Sequence, residues 1–263
     1  MKRISAALLS CLVALSLSAC GQPAKDPGPD YADDEAMEII ADAFEARQDV
    51  IFKVEEKDPS NAQSMKNMRS YVEAELEVAD KLRTRVFEDS EMQELVLKYL
   101  NTLDNALKTL EEYPVTSTEF LDEWNERADI RATLLKTFAD EYGLTVEEKY
   151  QDIFDEVLAN GAAAAKESQT EEALQGVLDA IVFEKVTEYS FTTYSAVVEN
   201  TTGVDFGDCA FDVALYDAEG VKLDDRYVFT SGWASGEKVR FEFTSEVDTD
   251  QIKLSIDYYN LAK

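Results

Sequence analysis

Histidine is absent from this chain of 263 residues, and cysteine, proline, glycine and positive charge are all scarce. Without histidine there is no Ser-His-Asp or Cys-His catalytic machinery and no imidazole ligand for a metal. The three cysteines, Cys11, Cys20 and Cys209, cannot make a four-thiolate zinc or iron–sulfur site. Ten glycines form no phosphate-cradling loop and no dinucleotide fingerprint. Only 25 Lys and Arg stand against 55 Asp and Glu, a formal net charge of -30, and such a field repels both nucleic acid and anionic lipid headgroups. Long apolar runs are missing as well. Beyond the N-terminus no segment reaches the roughly 20 apolar residues of a membrane-crossing helix; even the run 181–186 is broken by Glu184 and Lys185. What is present is a core: 45% hydrophobic residues, with 13 Phe, 12 Tyr and 2 Trp, are too apolar for an acidic disordered tail.

The N-terminus carries an address. Lys2 and Arg3 precede an apolar stretch over 4–17 that is too short to span a bilayer and is diluted by Ser5, Ser10 and Ser16. It ends in Leu17-Ser18-Ala19-Cys20, which resembles the lipobox of bacterial lipoproteins. The resemblance implies that residues 1–19 are a signal peptide, that cleavage occurs before Cys20, and that Cys20 is the lipidated N-terminus of an extracytoplasmic, membrane-anchored protein. Two acyl chains, each buried methylene contributing about 0.8 kcal/mol, suffice for stable anchoring. Residues 20–30 then hold Pro23, Pro27 and Pro29, three of the five prolines, and read as a flexible tether. With Cys11 removed and Cys20 acylated, Cys209 stands alone; it shares a strand face with Phe211, Val213 and Leu215, which predicts burial.

From 31 to 181 the period is helical. The pattern predicts helices over 31–57, 61–87, 91–112, 118–142, 146–166 and 170–182, four of them opened by capping boxes: Ser60 with Gln63, Ser90 with Gln93, Thr116 with Glu119, and Thr145 with Glu148. Apolar stripes such as Met92, Val96, Tyr99, Leu103, Ala106, Leu110 and Leu121, Trp124, Ala128, Leu135, Phe138, Tyr142 predict an antiparallel up-and-down bundle. Arg131 falls inside the fourth stripe. A buried guanidinium there would need a carboxylate, so an arginine snorkelling from the stripe's edge is the simpler expectation. Met65, Met68 and Met92 are expected as core filling rather than a binding face.

From 182 to 263 the period becomes two. Strands are predicted over 189–199, 209–216, 226–230, 238–243 and 251–258, so the fold class is α+β and multidomain: an all-α bundle followed by a small antiparallel Ig-like β-sandwich. The turn Asn200-Thr201-Thr202-Gly203, the run Val213-Ala214-Leu215-Tyr216-Asp217 before Gly220, the Gly236-Glu237 turn, and Phe241 with Phe243 resemble the FxLYD domain of bacterial surface lipoproteins. Val213 replaces the phenylalanine of the name motif, and Ser235 stands where a proline is common. The resemblance implies an interaction or spacer module without catalytic residues.

Carboxylates are the remaining chemistry. Clusters at Asp30, Asp33, Asp34, Glu35, at Asp224, Asp225 and at Asp248, Asp250 lack the spacing of a calcium loop and are expected to be solvated surface. The tyrosines and tryptophan Tyr216, Trp233, Tyr258 and Tyr259 could stack on sugars or simply pack across a sheet. The expectation is a non-catalytic binding or scaffold lipoprotein with no metal and no cofactor, held to the membrane by its lipid, contacting an envelope protein or polysaccharide and no nucleic acid. The alternatives are a carboxylate-dependent cell-wall hydrolase and an extracytoplasmic solute-binding or folding accessory lipoprotein.

Overall fold

The computed structural model describes residues 30–54, 60–249 and 251–262, so Cys20, the expected leader 1–19 and most of the expected tether 20–30 lie outside the described residues. Among the described residues, five helices precede six strands: α1 Asp33–Phe52, α2 Asn61–Ala79, α3 Ser90–Glu112, α4 Thr118–Tyr142, α5 Gln151–Asp179, then β1 Glu184–Glu188, β2 Phe191–Glu199, β3 Phe206–Tyr216, β4 Lys222–Trp233, β5 Lys238–Ser245 and β6 Gln251–Leu261. The helical half and the antiparallel β half follow the periods of the sequence.

Successive helices pack on one another, α1 on α2 through α4 on α5, around a core that includes Phe44, Val96, Tyr99, Leu135, Phe138 and Phe154. All six residues of the α3 stripe are buried. The α4 stripe is corrected in its first half: Leu121 and Ala128 face solvent, while Phe120 turns inward and its ring stacks on Trp124 at 5.8 Å. Of the four capping boxes only Ser60 caps as read, accepting from Gln63 N at 3.3 Å. Asp89 and Ser117, each beside the residue expected, cap α3 and α4 instead. Asp89 wins because a carboxylate accepts from two amides, Glu91 N and Met92 N, where a hydroxyl commonly serves one.

The two last predicted helices are one. α5 continues through Thr170, whose hydroxyl donates to Lys166 O at 2.8 Å within the helix and leaves the following turn uncapped. Against α4 this helix packs closely at Gly161, where a Cβ would lie 2.3 Å from the carbonyl oxygen of Ala132; only hydrogen fits.

The strands form two three-stranded antiparallel sheets, β1-β2-β5 and β4-β3-β6. β1 was not foreseen, since Glu-Lys-Val-Thr-Glu carries no apolar alternation; all five residues are exposed, and the strand exists by pairing with β2. Tyr194, Phe241 and Phe243 from one sheet and Phe211, Val213, Leu215 and Trp233 from the other share one core, with Trp233 and Phe241 rings 5.6 Å apart. Leu174 and Leu178 of α5 belong to that second core, while Phe154 of the same helix belongs to the first.

Candidate functional site

The inward residues of β3 are Cys209, Phe211, Val213 and Leu215, so pleating sends Asp208, Ala210, Asp212, Ala214 and Tyr216 to the outer face. Register then places Phe229 of β4 and Tyr258 of β6 on either side of Ala210, with Tyr227 beside them opposite Asp212. Phe229, Tyr227 and Tyr258 are 53%, 52% and 52% exposed. Two strand spacings, about 10 Å, separate the flanking backbones.

A bulge in β6 makes this row. Ala210 pairs with Tyr258 but Phe211 pairs with Ile256, so Asp257 is an extra residue. That insertion turns Tyr258 outward and Tyr259 inward, where the Tyr259 ring meets Phe206 edge-on at 5.7 Å. Tyr258 is also held: Asn260 Nδ2 donates to its hydroxyl at 2.8 Å and to Asp208 Oδ2 at 3.3 Å, Asn260 Oδ1 accepts from Asp208 N at 3.0 Å, and Ser231 donates to Asp208 Oδ1 at 2.8 Å. Gly207 makes room for this amide, because a Cβ there would sit 2.2 Å from Asn260 Oδ1.

The other aromatic candidates go elsewhere. Trp233 is fully buried, its indole donating to Glu237 O at 3.1 Å. Tyr216 lies half-buried under the ammonium of Lys253, 5.1 Å from the ring centre. Phe229 and Tyr227 were missed by the sequence reading; their signal was the alternation around Val228 in β4.

Most carboxylates of the clusters are engaged by neighbours, while Asp34 is exposed to solvent. Arg85 pairs with Asp30 and Glu35, and Asp33 accepts from Glu88 N and Asp89 N, which lowers its pKa and ties the start of α1 to the start of α3. Asp224 pairs with Arg226, Asp225 with Lys222 and Asp248 with Lys185, while Asp250 lies outside the described residues. Among the described residues no three Cys, Asp or Glu side chains converge as metal ligands. Cys209 is buried, and burial, followed by the nearby Asp208 charge, pushes its thiol up to about 12. Met92 is in the core, while Met65 and Met68 are half-buried.

Arg131 corrects the snorkelling expectation. It is 8% exposed and its Nε donates to Glu75 Oε1 and Oε2 at 2.7 and 3.0 Å. Glu75, fully buried, also accepts from Arg47 Nη1 at 2.9 Å and from the hydroxyl of Tyr99. Glu75 lies on the buried stripe of α2, between Val72 and Ala79, so two signals were there: an acid in one stripe and, in Arg131, a cation in another. Compared with protein-family models and with curated proteins, the chain matches none.

Proposed function

We propose that this chain is a non-catalytic, lipid-anchored surface protein that binds an uncharged polysaccharide of the cell envelope through the outer face of β4-β3-β6, the helical bundle serving as its spacer. The observation that carries the reading is the row Phe229, Ala210, Tyr258 with Tyr227: exposed aromatic rings flanking a small residue, on a rigid sheet, rimmed by Asp208, Asp212, Ser231 and Ser255. Aromatic faces stack on the C–H faces of sugar rings and the rim groups hydrogen-bond hydroxyls, a combination of apolar platform and polar edge that serves recognition. Exposed aromatics held by an amide, as Tyr258 is by Asn260, lose little entropy on binding. The acidic rim and the net charge of -30 oppose a polyanion, which leaves a neutral glycan.

The Ig-like, FxLYD-like reading of the β half belongs to the same proposal. Its motif turns meet in space: Asn200 N donates to Glu237 O at 2.9 Å, Gly236 N to Asn200 O at 2.7 Å, and the buried Asn200 amide donates to Val204 O and Trp233 O. These residues build turns and supply no reacting group, which supports a binding module.

Two experiments test the proposal. The full chain is expected to cosediment with insoluble neutral envelope polysaccharide, and the Phe229→Ala, Tyr258→Ala double variant to lose at least tenfold in affinity, about 1.4 kcal/mol, with its melting temperature retained. Undiminished binding by that variant would remove the outer face from the reading. In detergent phase separation the native protein is expected in the detergent phase and Cys20→Ala in the aqueous phase; a detergent-bound Ala form would mean that another anchor exists.

A further inference from the structure

Buried charge in the helical half does not balance. Glu75 is the sole buried carboxylate among the described residues, yet the guanidinium groups of Arg47 and Arg131 both point to it, and its oxygens already accept from Arg131 Nε, Arg47 Nη1 and Tyr99. One positive charge is left over. Arg131 Nη2 is buried and has no hydrogen-bond partner, and the same holds for Nε of Arg127, one turn earlier on α4. The remaining face of Arg131 lies over the Phe44 ring, 5.5 Å from its centre, so no water or acid approaches from that side.

Arg47, Arg127 and Arg131, with Thr102 and Trp124, line one recess of about 30 Å³. That volume admits a single water-sized group. Thr102 and Arg127 also line a hollow of about 580 Å³ running along α3 past Lys98, Asn101 and Asn105, so the recess opens beside a groove of ligand size. Arg127 is already paired, through its other two nitrogens, with Glu123 and Glu126, so the charge left uncompensated at the recess is that of Arg131 and Arg47 against the single carboxylate of Glu75, and it marks a place for one anionic group.

We infer that this recess takes one oxygen of a carboxylate group, which supplies the missing negative charge beside Arg131, with the rest of the carboxylate-bearing molecule lying in the α3–α4 groove. A planar carboxylate matches the fork of a guanidinium and brings one charge, equal to the excess, where a phosphate brings more. An unpaired buried cation is costly, so filling this site stabilises the fold as well as binding the ligand.

The probe is sodium acetate, titrated into the full chain against sodium chloride and sodium phosphate at matched ionic strength, with melting temperature as the readout. Acetate is expected to raise the melting temperature saturably, as a ligand of the native state does, while chloride and phosphate give only the shallow rise of screening. Arg127→Gln, which removes the unpartnered Nε at the recess together with the ion pairs to Glu123 and Glu126, is expected to weaken apparent acetate affinity at least tenfold and still fold. Arg131→Lys, which keeps the charge and loses the fork, is expected to abolish the acetate response; should it not fold, Arg127→Gln decides alone. Phe229→Ala, Tyr258→Ala is expected to leave the response intact, which separates this site from the polysaccharide face. A melting temperature that responds alike to acetate and chloride would show the recess to hold water only, and an acetate response unchanged in Arg127→Gln would show it to arise elsewhere; either result overturns the assignment.

Discussion

Glu75→Gln is expected to lower the stability of the helical half by about 3–5 kcal/mol, because removing one member of a buried ionic group leaves the other uncompensated. Glutamine keeps the shape and one acceptor for Tyr99 or Arg131, but two guanidinium groups, one of them 8% exposed, then face each other without an intervening charge. Urea unfolding of the variant beside Glu73→Gln is the measurement. Glu73 pairs with Arg69 in the open, where the change is expected to stay within about 0.5 kcal/mol. Equal midpoints for the two variants would mean that the ionic group contributes nothing net.

The same group sets a pH dependence. Burial pushes the Glu75 carboxyl up, but the charges of Arg131 and Arg47, with the Tyr99 and Arg131 hydrogen bonds, outweigh it, and the folded pKa lies below the ordinary 4.5. A depressed folded pKa means that the unfolded chain takes up the proton first. The contribution is therefore fully present above about pH 4.5 and is lost as pH falls through the folded value. In Glu75→Gln that acid-side slope is expected to be shallower.

Leu174→Ala and Leu178→Ala are each expected to cost about 2–5 kcal/mol, and the loss to fall on the β half although both residues are helical. Both are buried in the core shared by the two sheets, and Gln175 between them donates to Leu254 O of β6 at 3.1 Å. A fragment beginning at 182 lacks this cover and exposes the core beneath it. It is expected to melt broadly, whereas a fragment beginning at 168 should melt cooperatively. Equal transitions for the two fragments would show that the end of α5 is dispensable to the sheets.

Much of this was legible in one dimension because burial repeats with the period of the element. The α3 stripe needed only its spacing of three and four, and β3 only its alternation of Cys209, Phe211, Val213 and Leu215. Breaks were less legible. Thr170 looks like a helix start and lies inside α5, because a threonine hydroxyl can return to the carbonyl four residues back as readily as cap an amide. β1 has no pattern of its own, since an exposed edge strand is specified by the strand that it pairs with.

The acid excess, the absence of histidine, the single cysteine after residue 20 and the change of period near residue 182 are properties of composition and order, and the sequence by itself determined them. Tertiary structure alone decided which polar groups are buried and which aromatics face out. Glu75 meets Arg131 across 56 residues, and only that encounter makes burying either charge affordable. Tyr258 rather than Tyr259 reaches the surface because one inserted residue, Asp257, shifts the pleat against β3, and a side chain's face is set by pairing between strands rather than by its place along one.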